Sequence, residues 1–470
     1  MVAAACGLLL YRVAPDVGGK PLYEDEAVAG LIGARPLGEL LDTVILDRGG
    51  APLHFVLAHA VFWFDASAEA LRWLSVVCAL AAVAVCFDLA RRLGGTAAGV
   101  VAAAIVASST ALSVYASFGR MYALFVLVAA VAVDLFVRAL RLRSREAVVA
   151  AALAAWLLPA VHPYGLILAL AELGVAAVLW RRRSLRIALP VAVIALAAVP
   201  FAAADRRLAG RAKVGSGSET LTSPGDAWGE LVAALSSFAG GDGLPFVAFT
   251  ALAVFGLWVL VRREPAVAVV AATVFVPPIL FIVLRAGSAP DLSPRHLFYG
   301  LPLWAAAIGV GAARLPFASV GSVVLALAAV ASPASALRDP RELGLLPTAT
   351  DGKISARRND LVVPYAIPFL ADLDGARAAV PLPQGPEDLI LDALGHADVP
   401  VNRIFVALPQ ANRWTVRRLD GPYDRAGAML AIAEAYGTST RHAPELDWWY
   451  LLVSREMCDA VARLGPRCPS

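Results

Sequence analysis

The run from Glu69 to Arg92, EALRWLSVVCALAAVAVCFDLARR, keeps its charges at its two ends: Glu69 and Arg72 at one, Asp88 and the Arg91-Arg92 pair at the other. A helix needs about 20 residues, at about 1.5 Å each, to cross a bilayer, and an uncharged middle of this kind supplies most of that length. The same pattern recurs at 96–115, 121–138, 147–161, 164–180, 185–204, 245–261, 266–284, 296–313 and 317–335. The chain opens on a further apolar segment, Val2 to Leu10. It has no basic residue before it and no small-residue cleavage site before Tyr11-Arg12, so it reads as a first span and not as a signal peptide. The expected membrane domain, residues 1–335, is therefore all-α with about eleven spans.

Composition agrees. Of 470 residues, 59% are hydrophobic and 16% charged, and the mean hydropathy is +0.71. This is the balance of a polytopic membrane protein. The net charge of +3 comes with no basic cluster interleaved with aromatics, which argues against a nucleic-acid partner. After about Ala336 the sequence turns to ordinary mixed polar character. Residues 336–470 read as a small α/β domain, with strands at 361–363, 403–408 and 448–453 and helices at 425–436 and 455–464. Cys458 and Cys468 in this domain are spaced for a disulfide in an oxidising compartment.

The segment Pro52 to Phe64 is apolar, opened by proline and too short to cross, so it reads as interfacial or re-entrant. With that reading Arg91-Arg92, the arginines of 138–145, those of 181–186, Arg262-Arg263 and Arg314 share one face. The positive-inside rule makes that face cytoplasmic. The first loop 15–68, the turn at 118–122, the turn His162-Pro163-Tyr164, the loop 285–296 and the C-terminal domain are then expected outside. Trp228 to Phe238, in the long external loop from Asp205 to Pro245, reads as an interfacial amphipathic helix.

The first loop carries Tyr23-Glu24-Asp25-Glu26, three consecutive carboxylates. Like charges this close raise one another's proton affinity, which suits a general base. The plainer reading is a solvated acidic turn capping a helix over 27–34. Transfer from a lipid phosphate to a hydroxyl needs a base and a cationic grip on the leaving phosphate, both at the membrane surface. Asp25 or Glu26 can be the base. Arg120 and Arg295 can hold the phosphate, because a guanidinium fork bonds two phosphate oxygens. The plainer reading for both arginines is an interfacial anchor. For His54, His162 and His296 it is a hydrogen-bonded structural histidine rather than a metal or proton-relay cluster.

Tyr23-Glu24-Asp25-Glu26, Gly50-Ala51-Pro52-Leu53-His54, Ala70-Leu71-Arg72-Trp73-Leu74-Ser75, Arg120-Met121-Tyr122-Ala123-Leu124 and His162-Pro163-Tyr164-Gly165 together resemble the integral-membrane GT-C glycosyltransferases. Within that class the likeness is to the bacterial family related to protein O-mannosyltransferases and the aminoarabinose transferase of lipid A (glycosyltransferase family 39/83-like). The resemblance covers roughly residues 15 to 310. It implies a polyprenyl-phosphate sugar as donor, inversion at the anomeric carbon, Asp25 as catalytic base and Glu26 as its neighbour or a metal contact. It also implies amphipathic helices in the first external loop and Tyr23, His54, Tyr122, His162, Tyr164 and His296 as lining residues. A divalent metal ion is the one cofactor it admits. Phe118 stands where the family commonly has Glu, which removes one source of a second carboxylate. The implied partners are the lipid-linked donor, a glycan, lipid or protein acceptor and the bilayer, and the implied location is the inner or plasma membrane with the C-terminal domain extracytoplasmic. The alternatives are a polytopic transporter or lipid-linked sugar flippase, for which buried charge in the spans would argue, and a catalytically inactive GT-C relative. Glu172 is the one carboxylate read as deep in a span.

Overall fold

A computed structural model of the chain describes residues 1–19, 24–47, 51–65, 67–142, 144–180, 224–277, 279, 294–316, 318–331, 359–363, 377–378, 400–410, 413–424, 427, 428, 430–432, 434 and 435. The chain groups into two compact units, one made of Met1–Gly19, Pro36–Ala209 and Ser218–Arg338, the other of Lys20–Arg35, Gly210–Gly217 and Asp339–Ser470.

The first unit is helical. Its described helices are α1 (Val2–Gly19), α3 (Leu37–Asp47), α4 (Leu53–Phe62), α5 (Ala68–Gly94), α6 (Thr96–Ser108), α7 (Thr110–Ala116), α8 (Tyr122–Leu142), α9 (Arg145–Val161) and α10 (Gly165–Trp180). There follow α11 (Pro224–Phe238), α12 (Leu244–Arg263), α13 (Pro265–Ala271), α14 (Leu301–Ala312) and α15 (Ala318–Ala331), while α2 (Glu24–Gly33) falls in the second unit. Among the described residues α5, α8 and α12 are long and apolar enough to cross a membrane, and α6 with α7, bent by 57°, passes the same test only if the two count as one span. The expected count of about eleven goes beyond these, and the span expected at 185–204 lies outside the described residues.

Helix ends follow local chemistry. Ser67 accepts from the Ala70 amide to start α5, and Ser144 accepts from the Ala147 amide to start α9. The bend between α6 and α7 falls at Ser109, whose hydroxyl accepts from the Leu112 amide and donates to Ser237 O at 3.0 Å. That single serine turns the apolar run 96–115 into two helices. The first helix runs on through Pro15 to Gly19, past the expected apolar segment. The fully buried Arg72 donates to Val17 O at 2.9 Å, placing a cation at the carbonyl end of α1.

The core is built on α14, every residue of which is buried, packed against α5, α6 and α12. A helix apolar all round belongs at the centre of a bundle. Close approach depends on glycine. A Cβ on Gly256 of α12 would lie 1.9 Å from Ala307 O, one on Gly311 2.2 Å from Leu252 O, and one on Gly309 2.4 Å from Ala98 O. Small residues at such crossings let backbones touch, the usual basis of helix association in lipid. The helix α4 is ten residues, about 15 Å, and so too short to cross. Trp63 and Phe64 just beyond it are 74% and 91% exposed.

In the second unit a four-stranded sheet has the order β2-β1-β3-β4, from β1 (Asp360–Val363), β2 (Arg377–Ala378), β3 (Val401–Gln410) and β4 (Arg413–Tyr423). β1 is parallel to β2 and β3, and β4 pairs antiparallel with β3 as a hairpin. Arg403 bonds the buried Asp360 through both oxygens, tying β3 to β1. The described positions of 427–435 are helical. The expected strand at 448–453, the helix at 455–464 and the Cys458–Cys468 pair lie outside the described residues. The acidic helix α2 belongs to this second unit and not to the helical one.

Candidate functional site

Three chain reversals at one end of the helical unit meet through their aromatic rings. The first is 117–121, between α7 and α8. Its backbone is tight, with the Arg120 amide donating to Phe118 O at 2.7 Å, and Phe118 is buried edge-on against Tyr115. The second is His162-Pro163-Tyr164, between α9 and α10. Here Gly165 is required by space, since a Cβ would sit 2.5 Å from Leu158 O. The third is the 3-10 stretch Pro294–Gly300 leading into α14.

Tyr115 joins the first and third reversals, with its ring 4.6 Å from Tyr122 and 4.9 Å from Phe298. His162 joins the second to both others. It stacks on Phe125 at 4.9 Å, lies 6.0 Å from Tyr122 and 5.5 Å from His296. Tyr164 and His296 stack at 4.8 Å and 15°. Tyr122, His162, Tyr164 and His296 therefore form one cluster, and Arg120 and Arg295 are carried on the first and third of these reversals.

The histidines report where the arginines act. His162 is buried, and burial, then Arg295, then Arg120 push its pKa from the ordinary 6.5 down to about 3. It is a neutral imidazole whose Nδ1 accepts from the Tyr164 amide at 3.3 Å, which leaves its proton on Nε2. His54 on α4 is buried and bonds Gly119 O through Nε2 at 3.2 Å, so Nε2 carries its proton. Burial and then Arg120 lower its pKa to about 3 against the opposing bond to Gly119 O. Two arginines from distant segments thus bear on one buried imidazole, and a second imidazole braces the turn of one of them.

The carboxylates stand apart from this description. Asp25 and Glu26 are on the first turn of α2 in the second unit; Glu26 is fully buried. Tyr23 and the Asp25 side chain lie outside the described residues. Among the described residues no three His, Cys, Asp or Glu side chains are grouped to hold a metal ion. His162 and His296 face each other and aromatic rings, with no carboxylate or thiolate grouped beside them among the described residues to complete a divalent-ion site.

Sequence reasoning did not place Ser75, Tyr115, Phe125 or Phe298 at this end of the unit. Ser75 was visible in principle, since it follows Arg72 by one helical turn near the start of a span. The aromatic residues gave no signal apart from the general aromaticity of an interfacial segment.

No protein-family model matches the chain, and no curated protein matches it. Among solved structures it is similar to ArnT from Cupriavidus metallidurans in the apo state, at 18% identity over 69% of this chain and 61% of that one, with a TM-score of 0.49. It is similar to the same protein bound to undecaprenyl phosphate at 19% identity, over 67% of this chain and 60% of that one, with a TM-score of 0.47. It is also similar to the arabinosyltransferase EmbB from Mycobacterium smegmatis, at 16% identity over 66% of this chain and 30% of that one, with a TM-score of 0.42. The chain thus spans about three fifths of the length of the ArnT structures.

Proposed function

We propose that the protein is an inverting membrane glycosyltransferase that moves a monosaccharide from a polyprenyl-phosphate donor to an acceptor hydroxyl at the external membrane face. The observation that carries this reading is the meeting of three chain reversals through the rings of Tyr122, His162, Tyr164 and His296, with Arg120 and Arg295 carried on two of those reversals. Guanidinium groups converging beside neutral aromatic side chains suit a phosphate whose charge grows as it leaves. His54 and His162, held neutral by burial, add no charge to this end in the physiological range.

In the reaction the acceptor oxygen bonds the anomeric carbon from the side opposite the phosphate. The bond from that carbon to the phosphate oxygen breaks, its electron pair stays on the polyprenyl phosphate, and a general base takes the hydroxyl proton, the role that the resemblance gives to Asp25. Arg120 and Arg295 balance the charge left on the phosphate. Tyr164 stacked on His296 offers a flat face to a sugar ring. Glu26 neighbours the base.

Asp25→Asn keeps shape and removes the base, so transfer should fall by about 10²–10⁴-fold while lipid-phosphate binding persists. Glu26→Gln should retain more activity; the reverse order would exchange the two roles. Purified protein offered a panel of polyprenyl-phosphate sugars is the assay, and an Asp25→Asn variant as active as wild type would end the reading.

One observation favours transport as a second reading. Glu172 on α10 is 3% exposed, and among the described residues neither of its oxygens has a hydrogen-bond partner. A carboxyl inside a span is costly and often marks a translocation path. Sugar–lipid movement across proteoliposomes that is lost in Glu172→Gln and kept in Asp25→Asn would select it.

A further inference from the structure

We infer that His54 and Ser75 are positioning residues for Arg120, holding its turn by two backbone carbonyls so that the guanidinium is presented to a lipid phosphate; this rests on the phosphate-binding role proposed above. The two bonds are His54 Nε2–H to Gly119 O at 3.2 Å and Ser75 Oγ–H to Arg120 O at 3.3 Å. They come from different helices, α4 and α5, and fall on consecutive carbonyls of one tight turn. Both donor residues are buried, at 1% and 2% exposure, and the bond from His54 to Gly119 O is buried as well.

The serine makes the stronger case. Ser108, Ser113, Ser117, Ser236, Ser237 and Thr273 all donate to a carbonyl three or four residues back, the ordinary resting bond of a hydroxyl on or beside a helix. Ser75 instead reaches 45 residues along the chain to the carbonyl of Arg120 itself. With the amide of Arg120 taken by Phe118 O and its carbonyl by Ser75, both backbone groups of that residue are held. Arg120 acts on the imidazoles of both His54 and His162, so its charge lies within reach of the brace on one side and of the aromatic cluster on the other. A backbone held in this way leaves only side-chain rotamers to be ordered when an anion binds, which lowers the cost of binding.

The test is binding of decaprenyl phosphate to the purified full-length protein in detergent, which requires neither the sugar nor the acceptor to be known. Arg120→Gln should weaken binding about tenfold or more, and Ser75→Ala and His54→Ala about 3- to 10-fold each, the size of one buried hydrogen bond acting through a charged group. Ser75→Thr keeps a hydroxyl, and His54→Gln keeps an N–H at the position of Nε2. Both should return to within about twofold of wild type. In an Arg120→Gln background Ser75→Ala should cost nothing more, because residues acting through one group are not additive. Thermal unfolding of each variant checks folding, and if His54→Ala does not fold the Ser75 set decides alone. Wild-type binding by Arg120→Gln would sink the phosphate role of that arginine. A weakened Arg120→Gln beside a wild-type Ser75→Ala, or a Ser75→Ala loss that persists undiminished without Arg120, would overturn the positioning role and leave the phosphate role standing.

Discussion

Where α5 and α8 end, Arg92 and Arg138 are bonded to carboxylates: Arg92 to Asp88 and to Asp134 at 3.0 Å, Arg138 to Asp88 at 2.9 Å and to Asp134 at 2.7 Å, with Arg91 adding a further bond to Asp88. Where the same helices begin, Arg120 and Arg295 bear on imidazoles held neutral among aromatic rings. Both ends belong to one bundle, and α5 alone measures about 40 Å from one to the other. The difference teaches what each arginine is for. A guanidinium laced to carboxylates fixes helices to one another and marks topology. Arg120 and Arg295, carried on reversals that meet through His162, are the cations proposed above to answer the charge of a leaving phosphate.

The sharpest way to break this comparison is to remove one arginine from each end. Arg295→Ala should cost transfer about 2–4 kcal/mol, as the loss of a charged contact in a shielded site. Arg92→Gln should leave turnover per folded molecule unchanged and lower the unfolding temperature, because Asp134, only 5% exposed, keeps Arg138 but loses its second partner. Equal losses of turnover at both ends would erase the distinction. Steady-state rates beside calorimetry on the same preparations give the answer.

Between the ends lies the glycine crossing. Gly256→Ala should destabilise by about 1–3 kcal/mol, since its Cβ would press into the Ala307 carbonyl and backbones cannot yield as side chains do. Gly174→Ala meets nothing within 4 Å and should be neutral or slightly stabilising. A neutral Gly256→Ala would mean that the α12–α14 contact is looser than described.

How much of this was legible beforehand varies with the physics of each part. The long apolar runs were readable because lipid demands length and lack of charge, and α5 and α8 fall close to their expected limits. The break at Ser109 was hidden, since apolar sequence on both sides carries no period that a bend must interrupt. β4 was missed because Arg413 to Tyr423 alternates charge with isolated apolar residues and pairs only through β3. At the site, arginine counting led only to the expectation that the three reversals share a face; their meeting through His162 rests on contacts that such a count does not supply. What the sequence could not disclose was the brace from Ser75 and the grouping of residues 20–35 with the second unit, because both depend on contacts between segments far apart in the chain.

Acid should separate the ends by another route. His54 and His162 have folded pKa values near 3, below the ordinary 6.5, so the unfolded chain binds their protons first as pH falls. Their stabilising contribution is complete above pH 6.5 and is lost progressively between 6.5 and about 3, on the order of 1 kcal/mol for each pH unit. His54→Gln with His162→Phe should flatten that part of the stability curve, the phenylalanine preserving the stack on Phe125. Any inflection in binding of the lipid phosphate should be that of the phosphate monoester itself, whose second pKa is about 6, and should be the same in the double variant, because neither imidazole changes charge there. An unchanged slope in the double variant would place the acid sensitivity elsewhere.

The smallest effect is expected at the rim of the arginine-rich end, where Arg141 of α8 meets Glu264, the residue between α12 and α13, at 2.9 Å. Both side chains are substantially exposed, 41% and 30%, so water screens the pair and each chain gives up rotamer freedom to hold it. The coupling measured by a double-mutant cycle with Arg141→Ala and Glu264→Ala should be about 0–1 kcal/mol. Glu264→Ala alone should cost about as little as Arg141→Ala, because the corner is held by backbone bonds that alanine keeps: the amide of residue 264 donates to Leu260 O and its carbonyl accepts from the Val267 and Ala268 amides. The cycle subtracts such single-site costs and leaves only the pair. A coupling above about 2 kcal/mol would show that this rim is shielded from water, and the arginine-rich end would then be as enclosed as the end that carries the candidate site.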